Sequence, residues 1–438
     1  MAANWVRAMR STTGWLFRIP LLAFALRLAT AITLQWRLDH IWKRQYLIEG
    51  DADGYMQLAQ RIATGQTYEV YTPPRRVLRM PGFPAFLALA MRAGEGRIFT
   101  LRLALCLVGT AGCGLVYWLG RALVDVETGL AAAALAAVSP VMIGFTPVIL
   151  SETLFAATLV ASLIPLAALL RRHLPAARGG DSASPLESDF VSGSLAAATA
   201  GVLIAVACYV RPSWLLTAPL FAGLLAAIST ERKRALLHGG LLLASLFVCL
   251  LPWGIRNYYA TGHFVMTTLW AGPSLYDGLN SQATGASDMT FFDRDNLLAT
   301  MSEYDVDRHY RAEAWKFARE NPRRTLELAM IKLVRFWKPW PSAEQFDHWS
   351  AKLAVGLWFV PLALLSLIGI WKLRSNWPAL LLGVGPVVYF TGLHMVFVSS
   401  LRYRLPAEYP LLVPAAAGLM VFASWVRAAR ERRANGAS

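Results

Sequence analysis

The sequence predicts an all-α polytopic membrane protein, threaded through a bilayer by about ten apolar helices. Three observations carry this. Of 438 residues, 56% are hydrophobic and 16% charged, and mean hydropathy is +0.43, so a soluble fold would have more apolar surface than its charged residues could cover. Apolar windows near the ~20 residues needed to cross hydrocarbon recur along the whole length. Short polar or arginine-bearing connectors separate them.

Arg7, Arg10 and Arg18 precede the apolar run of the first span, 16–37, with no small-residue cleavage site behind it. It reads as an uncleaved helix, not a removed signal peptide. A polar segment, 38–97, follows. From Asp51 to Gly65 it places Tyr55, Leu58, Ala59 and Ile62 on one face of a helix that should lie along the membrane surface. A second helix follows the bend at Pro81, Gly82, Phe83 and Pro84. Spans at 98–121, 125–144, 149–170, 193–210, 212–229 and 236–255 come next, with a Pro-, Gly-, Ser- and Asp-rich loop at 173–192 among them. In the second polar segment, 256–350, Asn321 and Pro322 end one amphipathic helix. The run from Arg324 to Trp340 then alternates apolar residues with Lys332, Arg335 and Lys338, as an interfacial helix would. Spans at 351–371, 378–398 and 409–427 complete the chain, which divides into 1–255, 256–350 and 351–438. No internal repeat or pair of inverted halves is visible.

Basic residues set the orientation. Arg171 and Arg172, the cluster from Glu231 to Arg234, Lys372 with Arg374, and Arg427, Arg430, Arg432 and Arg433 all fall on the side of the basic N-terminus. The positive-inside rule makes that side the cytoplasm. Segments 38–97 and 256–350 then share the extracytoplasmic face. The net charge of +15 is explained by these topology signals and by anionic lipid headgroups; no basic-aromatic nucleic-acid module is present. Cys106, Cys113, Cys208 and Cys249 lie inside predicted spans and read as small core residues, with no zinc-like spacing.

Two carboxylates stand out. Asp51 opens the predicted surface helix, where the helix dipole favours an ionised side chain that could act as a general base toward a hydroxyl. The alternative is a simple N-cap. Glu152 follows Ser151 at the head of a span, a costly depth that usually means a cavity; the alternative is a capping acid in water. Arg79, Arg211, Arg256, Arg402 and Arg404 end spans or adjoin bends on the outer face. Guanidinium groups there can grip phosphate oxygens or merely anchor the interface. Arg27 and Arg102, inside spans, are weaker candidates that can snorkel or pair.

The stretches GDADGYMQLAQRIATG and RMPGFPAFLAL resemble the first outer loop of bacterial GT-C glycosyltransferases of the dolichyl-phosphate-mannose-protein mannosyltransferase type, relatives of the protein O-mannosyltransferases and the lipid A aminoarabinose transferase. The likeness continues through VSPVMI, LSETLF, YVRPSWLL, LPWGIRNYYATGHFV and SLRYRLPAEYPLL, in order along nearly the whole chain. It implies a GT-C-like bundle and inverting transfer of a sugar from a polyprenyl-phosphate donor to a hydroxyl acceptor, protein, lipid or glycan, at the outer face of a bacterial inner membrane. Both termini would be cytoplasmic. The family's catalytic aspartate falls on Asp51, with Tyr55 as the aromatic four residues on, and its second acid on Glu152. Arg79 stands for a basic residue near the loop's proline motif, and Arg402 or Arg404 for an arginine of the carrier phosphate. Asp53 is a second acid in the same turn as Asp51, and either could be the base. Several family members carry a sizeable C-terminal domain after the last span; this sequence reads as departing from them there, which would leave acceptor recognition to the two outer segments. No metal is required in principle, although Asp51, Asp53 and Glu152 could converge on a divalent cation. A transporter or lipid flippase is the other reading; it should show helices interrupted at the midplane or paired halves.

Overall fold

A computed structural model describes residues 12–174, 186–341 and 348–435. Arg7, Arg10 and most of the loop read at 173–192 lie outside the described residues. The described chain is helical, and its β-structure is a single bridge between Val70 and Arg75.

The helices are α1 (Thr12–Arg37), α2 (Glu49–Thr64), α3 (Gly82–Ala93), α4 (Ile98–Leu123), α5 (Val126–Val138), α6 (Pro140–Phe145), α7 (Glu152–His173), α8 (Leu186–Val210) and α9 (Thr217–Ile228). They continue as α10 (Arg232–Thr261), α11 (Ala271–Gly278), α12 (Thr290–Asp295), α13 (Glu303–Glu320), α14 (Pro322–Trp337), α15 (Trp349–Lys372), α16 (Trp377–Val396) and α17 (Leu401–Asn435). Among the described residues, eight helices are long and apolar enough to cross a membrane, against ten expected spans.

Of the other two spans, 125–144 is broken by a proline and 212–229 is shortened to one helix, Thr217–Ile228, behind the proline at its head. Pro140 cannot donate to α5, so α5 stops at Val138 and the chain restarts as α6. The freed carbonyls of Ala136 and Ala137 accept from the buried guanidinium of Arg27, at 3.1 and 3.4 Å. Gly109 makes room for it, since a Cβ there would stand 2.9 Å from Arg27 Nε. An interrupted helix is tolerated in hydrocarbon only where protein satisfies its backbone, and Arg27 does so. This break therefore holds a structural arginine. Arg102 is likewise structural: it donates to Gln35 Oε1 and the Pro147 carbonyl, tying α1 to the approach to α7. At the head of 212–229, Pro212 opens a short 3₁₀ turn between α8 and α9.

Both segments still carry the chain between the two ends of the bundle. At one end the Asn376 side chain donates to the Leu123 carbonyl, and His173 meets Ser229 and His238. At the other end gather the starts of α7 and α17 and the end of α8. α17 packs along α15 and α16 and reaches α5 and α7. Its contact with α15 is very close: a Cβ on Gly369 would lie 1.7 Å from the Pro414 carbonyl oxygen, and one on Gly418 1.9 Å from that of Leu365.

The amphipathic helices read from the sequence are present. α2 buries Tyr55, Leu58 and Ala59 and ends at Gly65, whose φ of 71° suits a residue without a Cβ. α13 ends at Asn321, and Pro322 opens α14. Lys332 departs from the interfacial reading. It is fully buried and donates to the Val396 carbonyl at 2.6 Å, pinning α14 against the end of α16.

Candidate functional site

Five charged side chains from four separated segments meet at one end of the bundle. Asp51 sits in the first turn of α2, but the N-cap is Ile48, and the carboxylate spends its oxygens elsewhere. Oδ1 accepts from Arg79 Nη2 at 2.7 Å and Oδ2 from Arg402 Nη1 at 2.6 Å. Glu152, the first residue of α7, is 1% exposed, so it is no water-facing cap. Its Oε1 accepts from Arg211 Nη1 at 2.8 Å and from Arg402 Nε. Its Oε2 is buried without a hydrogen-bond partner. Arg402 therefore bridges the two acids.

Three guanidinium groups against two carboxylates leave one positive charge in excess, largely screened from water. Burial alone would raise the Asp51 pKa, but the charges of Arg402 and Arg79 outweigh it and hold the carboxyl well below the usual carboxylate range.

Aromatic rings orient the arginines. The Arg79 guanidinium stacks 4.2 Å above the Tyr55 ring, and the Tyr55 hydroxyl donates to Ser151 Oγ, beside Glu152. Arg211 lies over Tyr403 and Phe155. Arg79 and Arg211 also line a cavity of about 460 Å³, walled by Phe155, Leu216, Phe390, Leu393, Phe397 and Tyr403 among others. Arg79 and Arg211 thus join the charged cluster to an apolar space large enough for a small-molecule group.

Three candidates fall outside this cluster. Asp53 is two residues from Asp51, about 200° around α2, and is exposed with its carboxylate on Gln57. It does not converge with Asp51 and Glu152. Arg404 is displaced from Arg402 by the same rotation on α17. It is fully buried, pairs with Glu408 at 2.6 Å, and donates to the carbonyls of Phe336 and Lys338. Arg256 donates to the carbonyls of Tyr68 and Arg76 and stacks on Trp253, so it braces the loop that carries Arg79 without joining the acids. Among the described residues, no three His, Cys, Asp or Glu side chains stand together as metal ligands.

The sequence reading missed the residues that hold this loop in place. Glu303, at the start of α13, accepts from the backbone N–H groups of Arg76 and Val77, and the Tyr68 hydroxyl donates to the Arg79 carbonyl at 3.2 Å. No local pattern marks an ion that binds backbone 226 residues away.

No protein-family model and no curated protein sequence matches the chain. Solved structures do. The oligosaccharyltransferase of Archaeoglobus fulgidus in its apo form superposes with a TM-score of 0.57 at 14% identity. The same organism's AglB, in complex with an inhibitory peptide and a dolichol-phosphate, superposes at 0.54 and 12%. Each comparison covers 96% of this chain and 52% of the other, so the chain spans about half the length of these relatives. ArnT from Cupriavidus metallidurans bound to undecaprenyl phosphate lies further off, at 0.44 and 12% over 93% of this chain and 77% of that one. The all-helical membrane fold reached from residues and motifs is borne out, and the chain shares its fold with the part of these archaeal oligosaccharyltransferases that it covers.

Proposed function

We propose that the protein is an inverting glycosyltransferase that moves a sugar from a polyprenyl-phosphate donor to a hydroxyl acceptor. The observation that carries this reading is the excess guanidinium charge beside an apolar cavity that Arg79 and Arg211 line. Such a site suits a phosphate monoanion or dianion whose lipid tail stays in hydrocarbon. That a structural relative was solved with a dolichol-phosphate supports the same substrate class.

In the resting site Asp51 is too strongly paired to be an effective base. An incoming phosphate competes for Arg79, Arg402 and Arg211, and each guanidinium it draws away returns basicity to Asp51. Asp51 then takes the proton of the acceptor hydroxyl as its oxygen attacks the anomeric carbon from the face opposite the phosphate. The C–O bond to phosphate breaks, its electron pair leaves with the carrier, and the arginines neutralise it. Glu152 Oε2, buried and unpaired, is the acceptor for a hydroxyl of the sugar or of the incoming alcohol. Because arginines supply the positive charge, no step is routed through a divalent cation.

The site end is opposite the basic connectors at Arg171, Arg234 and Lys372, and the positive-inside rule then makes it extracytoplasmic, with both termini cytoplasmic, in a bacterial inner membrane. The test is transfer by purified protein from a panel of undecaprenyl-phosphate sugars to membrane extracts, comparing wild type with D51N. The expected result is product with one panel member and a loss of about 10²-fold or more in the variant. Equal transfer by the variant removes Asp51 from the chemistry.

A further inference from the structure

His394 closes the outer end of α16 and lines the same cavity as Arg79 and Arg211. It is an ionisable ring near the end of an apolar span, a placement that is costly and usually has a use. Its Nδ1 lies 2.7 Å from the Val398 carbonyl oxygen. A carbonyl can only accept, so Nδ1 carries the proton, and in the neutral ring Nε2 presents a lone pair. The ring is held by stacking on Tyr403, 4.6 Å away and 9° from parallel, with Phe336 and Phe390 nearly parallel at 5.9 and 6.2 Å. Among the described residues the contact with Val398 is the one hydrogen bond of the His394 side chain. With Nδ1 tied and a face covered, the edge that carries Nε2 is the one left for the cavity.

The side chains around that cavity are otherwise rich in donors. Arg79 and Arg211 only donate, and the hydroxyls of Tyr55, Ser213, Tyr389 and Tyr403 do either. A pure acceptor set in an apolar wall stays favourable only if something donates to it. Sugar hydroxyls do so. We infer that His394 recognises the transferred sugar, its Nε2 accepting a hydrogen bond from a ring hydroxyl while the arginines hold the phosphate. This rests on the polyprenyl-phosphate reading above and adds the residue that distinguishes a glycosylated carrier from a bare one.

The test is binding of undecaprenyl phosphate, and of undecaprenyl-phosphate hexose, pentose and aminopentose, to full-length protein in lipid nanodiscs. H394F keeps the aromatic stack and removes the acceptor; H394Q keeps an acceptor near the place of Nε2. Wild type should bind at least one glycosylated carrier more tightly than the bare one. H394F should bind bare carrier within about twofold of wild type and lose about tenfold for the glycosylated one, with part of that loss restored in H394Q. Undiminished glycosylated binding by H394F overturns the inference, and so does equal weakening of both ligands, the mark of a structural role. Wild type that binds bare phosphate with no preference for any sugar also overturns it while leaving the phosphate site standing. Wild type that binds neither removes both.

Discussion

Arg402 is the residue on which the charged cluster turns, because two of its nitrogens serve two different acids. A lysine offers one compact charge and cannot bridge them. R402K should therefore lose about 10²-fold in kcat/KM for transfer while remaining folded, checked by steady-state kinetics and size-exclusion elution. The ion pairs of Asp51 also set a pH dependence. Its carboxyl is held below the ordinary value of 3.8, so its contribution to stability is fully present above that pH and is lost as pH falls toward the depressed folded value. The difference in thermal stability between wild type and D51N should stay constant from about pH 5 to 9 and shrink only below about 4. A gap that closes between pH 5 and 7 contradicts the paired carboxylate.

At the scale of elements, the loop carrying Arg79 is positioned from a distance by α13. Removing the Glu303 carboxylate frees the amides of Arg76 and Val77 and lets Arg79 drift from Asp51. E303A should raise KM for the lipid donor by about tenfold with a smaller change in kcat, and E303Q should recover part of it. The crossing of α15 and α17 makes a different demand. Gly418 leaves no room for a side chain against the Leu365 carbonyl, so G418V should cost about 1–3 kcal/mol and lower the thermal midpoint in detergent. Breaks and caps were half legible in the sequence. Pro140 and Pro212 are plain, yet that Pro140 breaks its span into two helices depended on Arg27, and the span after Pro212 is shortened by the 3₁₀ turn at its head.

For the whole molecule, the proposed orientation puts the charged cluster outside the cell. Asp53 is exposed near it and outside the charge network, while Cys106, Cys113 and Cys208 are buried and Cys249 half-buried, so background labelling should be low. D53C should react with a membrane-impermeant maleimide added to intact spheroplasts, and R374C should react only after lysis. The reverse pattern inverts the topology and, with it, the face on which the donor is used.

The sequence alone determined that this chain lives in a bilayer, roughly where most of its crossings lie, and that Asp51 opens a surface helix while Glu152 and a set of arginines stand near the ends of crossings. Those properties are sums over neighbours in the chain: transfer free energies accumulate residue by residue, and a helix N-terminus favours an anion wherever it occurs. Only the tertiary structure decided which charges meet. Asp51 is 28 residues from Arg79 and 351 from Arg402, and such contacts depend on how each helix is rotated about its own axis. At 100° per residue, a step of two turns a side chain to the far side. That is why Asp51 and Arg402 join the cluster while Asp53 and Arg404, alike in composition and in neighbourhood, face away from it.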